Sequence, residues 1–183
     1  MPVVAVLALT SSPANAEPAV AADVTFVSTV TNQIAWAHQC AAFHCGYHAI
    51  PSGTIVRVAC YVFNENLEYD LVVAPAPWDG STIVAGYVDR NALRDSTSQR
   101  CVDVGPTGTV NTETWAHSCP SLNCGYGQMY QNENIGPVCR TAGTFEGRYW
   151  DLLIDHSPAN ANSELAGFVP IADWPHADPT TPC

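Results

Sequence analysis

The feature that most constrains this chain is an internal echo built around cysteines. Trp36-Ala37-His38-x-Cys40-x4-Cys45-Gly46-Tyr47 returns as Trp115-Ala116-His117-x-Cys119-x4-Cys124-Gly125-Tyr126. Cys60 returns as Cys139 at the same offset, Ala85-Gly86-Tyr87-Val88 returns slightly later as Ala166-Gly167-Phe168-Val169, and Cys101 answers to Cys183. A repeat of this kind describes one compact unit used twice, with four cysteines closing each copy. At about seventy residues per unit a single apolar core is marginal, and covalent cross-links commonly compensate. The eight cysteines therefore read as four disulfides formed in an oxidising compartment, each contributing about 2–4 kcal/mol.

The segments between the cysteines read as strands. Ile55-Val56-Arg57-Val58-Ala59 follows the turn chemistry of Pro51-Ser52-Gly53-Thr54. Tyr69–Val73, Ile83–Val88, Tyr149–Ile154 and Leu165–Val169 are further short apolar runs between loops rich in Pro, Asn, Asp and Gly. No segment sustains an apolar period of 3.6 residues over three turns, so the expected fold is all-β, two small barrels in tandem. A hairpin centred on Pro51–Thr54 brings Cys45 opposite Cys60, and the same arithmetic brings Cys124 opposite Cys139. Of three connectivities per unit this favours Cys45–Cys60 with Cys40–Cys101, mirrored by Cys124–Cys139 with Cys119–Cys183; a one-residue bulge overturns it.

Residues 1–16 read as a secretory signal, with an apolar run at Val3–Leu9 and a small-residue cleavage pattern at Ala14-Asn15-Ala16. The missing basic n-region leaves the true start open upstream of Met1. Residues 17–33 read as an arm containing Val24-Thr25-Phe26-Val27-Ser28-Thr29-Val30, either an edge strand of the first unit or a peptide that adds to a partner's sheet. The first unit is expected over 34–101, a Gly-, Pro- and Thr-containing connector over 102–112, and the second unit over 113–183. No later run reaches the roughly 18 apolar residues of a membrane span.

Seventeen acids face six arginines and no lysine, giving a net charge of −11. Nucleic acid is excluded as an expected partner, since phosphate ligands need gathered Lys and Arg. The same field favours encounter with a basic protein surface, or simply keeps the protein soluble.

Ile50-Pro51-Ser52-Gly53-Thr54-Ile55-Val56-Arg57-Val58-Ala59-Cys60 resembles the bacterial SH3-like domain, whose second and third strands read L-P-x-G-T-x-V-x-V-x-C. Gly86-Tyr87-Val88 with Ala92-Leu93 resembles that family's closing G-W-V followed by Y-L, and Tyr69 and Trp150 stand where it has a core aromatic. The likeness covers about residues 34–94 and 113–174. Neither unit keeps the family's R-S-G-P turn, and the second replaces P-x-G-T with Tyr130-Gln131-Asn132-Glu133. The resemblance, to secreted actinobacterial proteins with tandem domains of this type, implies two SH3-like β-barrels, each with two intradomain disulfides, and a binding module sometimes directed at cell-wall peptide. A fold by itself does not license a ligand.

Catalytic readings are weak. His38, Cys40, His44 and Cys45 are zinc-ligand types, but only His38 of these histidines recurs, and oxidised cysteines explain the spacing without metal. Every cysteine has a repeat counterpart, leaving no odd thiol as nucleophile, and no G-x-S-x-G elbow accompanies Asp155-His156. Asp151 and Asp155 read as a solvated strand edge. Neither an enzyme nor a cofactor is expected.

Aromatics carry the remaining signal. Trp36, Trp115, Tyr47, Tyr126, Tyr69, Trp150, Tyr87 and Phe168 recur in both copies, which reads as core. The partner-binding candidates are the unrepeated Trp78, on a polar loop and either folded back or presented, with Phe43, Tyr61, Phe63, Trp174 and the arm's Phe26. The expected function is a secreted, non-enzymatic adaptor holding one or two exported proteins. Size, export and duplication extend this expectation to joining the subunits of an extracellular, toxin-like protein assembly. The alternatives are a cell-wall binding module, disfavoured by like-charge repulsion from anionic wall polymers, and a secreted hydrolase inhibitor inserting a loop such as that around Trp78.

Overall fold

The computed structural model describes residues 24–76, 82–104, 108–110, 112–156, 164–174 and 181–183. The expected signal over 1–16 and the candidate Trp78 lie outside the described residues. The first repeat forms β1 (Val27–Val30), β2 (Ala35–His38), β3 (Tyr47–Ile50), β4 (Ile55–Asn64), β5 (Leu67–Ala76) and β6 (Thr82–Asp89). The second forms β7 (Gly108–Thr109), β8 (Thr114–His117), β9 (Tyr126–Met129), β10 (Asn134–Arg140), β11 (Trp150–Asp155) and β12 (Leu165–Pro170). Each copy is a six-stranded antiparallel sheet, in the orders β1-β4-β5-β6-β2-β3 and β7-β10-β11-β12-β8-β9. Among the described residues the only helical elements are three short 3-10 turns, and no helix is long and apolar enough to cross a membrane.

The duplication reaches further than the cysteine motif. In the arm, β1 is the edge strand of the first sheet, pairing Val30 with Ile55; within the stretch read as a connector, β7 pairs Thr109 with Asn134 in the equivalent place. The two therefore correspond, although their sequences share little, because an edge strand contributes mainly backbone hydrogen bonds.

The turn at Pro51–Thr54 does not make a hairpin. Its carbonyl at Pro51 accepts from the Thr54 N–H at 3.3 Å, with Gly53 at φ +82°, but the outer N–H of Gly53 donates to the Thr31 carbonyl at 2.8 Å. The Thr31 hydroxyl also donates to the Pro51 carbonyl at 2.7 Å. The end of β1 thus fills the corner, so β4 pairs with β1 and β5 while β3 pairs only with β2. In the second copy Asn132 stands at φ 70° in the glycine's place, a conformation asparagine tolerates, and its N–H donates to the Val110 carbonyl at 2.8 Å. The P-x-G-T letters are lost there, but the turn is kept.

This overturns the expected cysteine pairing. The bonds are Cys40–Cys45, Cys60–Cys101, Cys119–Cys124 and Cys139–Cys183. With no β3–β4 hairpin, Cys45 and Cys60 are not neighbours. Instead Cys40–Cys45 closes the loop of the β2–β3 hairpin. A β-bulge between Val58 and Cys60, matched between Pro137 and Cys139, sits immediately before each β4 or β10 cysteine, and the returning chain runs parallel beside it at Tyr61–Arg100 and Arg140–Pro182.

The disulfides stay within the repeats, whereas the apolar core does not. Residues pointing to one face of the central strands of the first copy, Val72, Ala74, Val84 and Val88, join that copy's own cluster with Val56 and Ile50. The opposite face, Tyr69, Leu71, Val73, Ala85 and Tyr87, forms one cluster with its counterparts Trp150, Leu152, Ile154, Ala166 and Phe168. Strands buried on both faces read as continuous apolar runs, which is what Leu71–Ala74 and Leu152–Ile154 are.

Backbone bonds complete the union reciprocally. Ala85 N–H donates to Ser118 C=O and Ala166 N–H to Gln39 C=O, each at 2.9 Å, and in each bond donor and acceptor come from opposite copies. This is the self-complementary pattern of an approximate twofold. Gly86 and Gly167 let strands β2 and β8 approach: a Cβ would lie 2.7 Å from the His38 carbonyl oxygen or 2.9 Å from that of His117.

Candidate functional site

The β2–β3 hairpin and its copy β8–β9 each present a bare aromatic pair. Alternation along β2 sends Ala35 and Ala37 inward and Trp36 outward, and the cross-strand register (Trp36↔Ala49, His38↔Tyr47) puts Tyr47 diagonally beside Trp36. Their rings meet edge to face with centroids 4.9 Å apart at 78°; Trp115 and Tyr126 repeat this at 4.8 Å and 77°. Both tryptophans are 46% exposed and both tyrosines 58%. The expectation that recurrence marks core therefore fails for these four, while Tyr69, Trp150, Tyr87 and Phe168 are fully buried.

Each pair rests on a buried histidine. His38 Nδ1 lies 3.2 Å from the Cys45 carbonyl and His117 Nδ1 3.3 Å from that of Cys124, a donor geometry that braces the loop. The imidazoles pack on Tyr47 at 5.4 Å and Tyr126 at 5.9 Å. Together with the Cys40–Cys45 and Cys119–Cys124 bonds, this holds both aromatic faces on stiff hairpins. Donor atoms of Cys40, His44 and Cys45 do lie within 4.8 Å of one another, but both sulfurs are joined in a disulfide and present no thiolate.

The candidates picked out by their singularity scatter. Phe43 is 56% exposed, its ring edge against His38 and Tyr69, and Phe63 is exposed near the end of β4. Half-buried Tyr61 lies under the Arg90 guanidinium, 4.4 Å from its centroid, and Phe26 under that of Arg57 at 4.1 Å. Trp174 is 1% exposed, in the second copy's core against Cys40 and Ala42 of the first, and presents no surface to a partner. The structure does not gather these residues into one site.

Asp151 and Asp155 are buried rather than solvated. Asp151 receives Arg140 Nε and Nη2 at 2.7 and 2.9 Å. Its counterpart Asp70, also fully buried, receives Arg90 Nη2 at 3.0 Å and the Ser96 hydroxyl at 2.8 Å. Burial pushes the Asp70 carboxyl above the usual range; the Ser96 and Arg90 bonds and the Arg90 charge oppose this, and the Glu68 charge adds to it. These acids are structural anchors.

One polar contact was invisible in the linear pattern. His48 Nε2 lies 2.7 Å from Ser118 Oγ, the spacing of a base and a hydroxyl nucleophile, yet Ser118 is 1% exposed and the pair seals the seam between copies. His156 Nε2, beside Asp155, lies 2.9 Å from the Val104 carbonyl. No known protein family, curated protein or solved structure matches this chain.

Proposed function

We propose that this is an exported, non-enzymatic adaptor: a duplicated β-protein of SH3-like type whose two halves form one body and bind other exported proteins. One observation carries the reading. Two fold-equivalent hairpins keep an outward Trp and Tyr, while other exposed apolar positions turn polar in the second copy, Ile34 to Glu113 and Ile55 to Asn134. The core has no use for a half-bare indole, and Trp and Tyr are the residues that dominate interface energies. Four disulfides accord with an oxidising compartment. The acidic charge argues against anionic wall polymers as the main target.

The test is capture from culture supernatant with the oxidised full chain as bait, set against Trp36→Ala/Trp115→Ala. Because both indoles point outward, the variant is expected to melt with the parent. It should lose the proteins the parent retains, and a variant that retains them all would remove these faces from the function.

A further inference from the structure

We infer that the Trp36–Tyr47 and Trp115–Tyr126 faces are two equivalent docking sites for lysine or arginine side chains of a basic protein partner. This rests on the binding-face reading above and names the chemistry the faces take.

This chain covers two of its own rings with cations. Phe26 and Tyr61, both part-buried, are each covered by a guanidinium, Arg57 at 4.1 Å and Arg90 at 4.4 Å. Among the described residues no arginine lies over Trp36, Tyr47, Trp115 or Tyr126, and the chain contains no lysine to do so. An indole face attracts a cation more strongly than a benzene or phenol face does. Among the described residues, the two exposed indoles are thus left uncovered by the chain's own cations.

Charge points the same way. The net charge is −11, and three of six arginines are turned to internal tasks: Arg57 donates to the Pro182 carbonyl at 3.1 Å, Arg90 pairs with Glu68 and Asp70, and Arg140 with Asp151. The outward field therefore draws cations to a surface carrying bare rings. Stiff hairpins hold those rings in place before any partner arrives, so little ordering cost attends binding. Because an approximate twofold relates the faces, each offers the same pair of rings to a basic side chain.

The test uses the oxidised full chain, NMR of the tryptophan indole N–H signals, and three probes: an oligoarginine peptide, a length-matched oligoglutamine peptide and a chitin oligosaccharide. Oligoarginine is expected to shift the Trp36 and Trp115 signals together, more weakly as salt rises, and oligoglutamine to leave them still. Trp36→Ala or Trp115→Ala should each weaken oligoarginine binding about two- to thirtyfold, with the Phe variants between parent and Ala. Oligoarginine binding that leaves both indole signals unmoved, or affinity unchanged in the double Ala variant, overturns the inference. If the oligosaccharide moves those signals and oligoarginine does not, the cation assignment falls while the faces stand as binding sites. If no probe moves them and supernatant capture is also unchanged in the double variant, the binding-face reading falls as well.

Discussion

Asp70 and Asp151 hold the same position in the two sheets and are neutralised from different directions. In the first copy Arg90 reaches back from the 3-10 turn after β6 and lies over Tyr61; in the second Arg140 occupies the place of Tyr61, and Ile171 occupies that of Arg90. Removing one member of a buried pair strands the other, so Asp151→Asn is expected to lose about 3 kcal/mol in urea unfolding. Moving the cation to the first copy's arrangement, Arg140→Tyr with Ile171→Arg, should recover part of what Arg140→Tyr alone loses, read as a double-mutant cycle. At Asp70 the folded carboxyl is raised, so the folded state binds its proton more tightly than the unfolded chain. That contribution is greatest at pH below the ordinary aspartate range, falls as pH rises through the raised folded value, and is level above it. The urea midpoint of the parent, measured relative to that of Asp70→Asn, should therefore rise as pH is lowered from neutral through the raised folded value. Both acids are visible in the sequence, but their burial is not, because the arginines that permit it stand 20 and 11 residues away.

At the level of elements, two kinds of cross-link coexist. Cys40–Cys45 and Cys119–Cys124 span five residues inside hairpin loops, while Cys60–Cys101 and Cys139–Cys183 span 41 and 44 and tie the end of each repeat to its central strands. Loop-closure entropy then makes the long links worth about 4 kcal/mol each and the short ones about 2 kcal/mol. Paired Cys→Ala variants, compared by urea denaturation, should fall in that order. The strands themselves were legible: the runs at Ile55–Ala59, Tyr69–Val73, Ile83–Val88, Tyr149–Ile154 and Leu165–Val169 fall on β4, β5, β6, β11 and β12. Their pairing was not, because a turn's letters specify its backbone and not which neighbour the next strand meets; here Thr31 occupies the corner of the turn at Pro51–Thr54.

For the whole molecule, the shared core has a thermodynamic consequence. Tyr69, Leu71 and Tyr87 are buried in one cluster with Trp150, Leu152 and Phe168, and the seam is closed by the reciprocal Ala85–Ser118 and Ala166–Gln39 bonds. Neither copy can open without exposing the other. Calorimetry of the oxidised full chain should accordingly show a single transition whose calorimetric and van't Hoff enthalpies agree, and two separated transitions would contradict the shared core. The two-sided apolar runs carried this information, although a run buried by its own unit looks the same as one buried by a twin. The candidate site divides similarly. Sequence singled out the recurring Trp36, Tyr47, Trp115 and Tyr126 but read them as core, since recurrence reports that a residue is kept and not which way it faces.

By itself the sequence determined the duplication, the strand-forming segments and the confinement of four cysteines to each copy, since all three are written in local spacing and residue type. Tertiary structure alone decided which sulfurs join, which aromatics stand bare and that the copies share a core. Those outcomes depend on contacts between residues far apart along the chain, whose relative placement is settled only when burial of both sheet faces and pairing of every strand are satisfied at once.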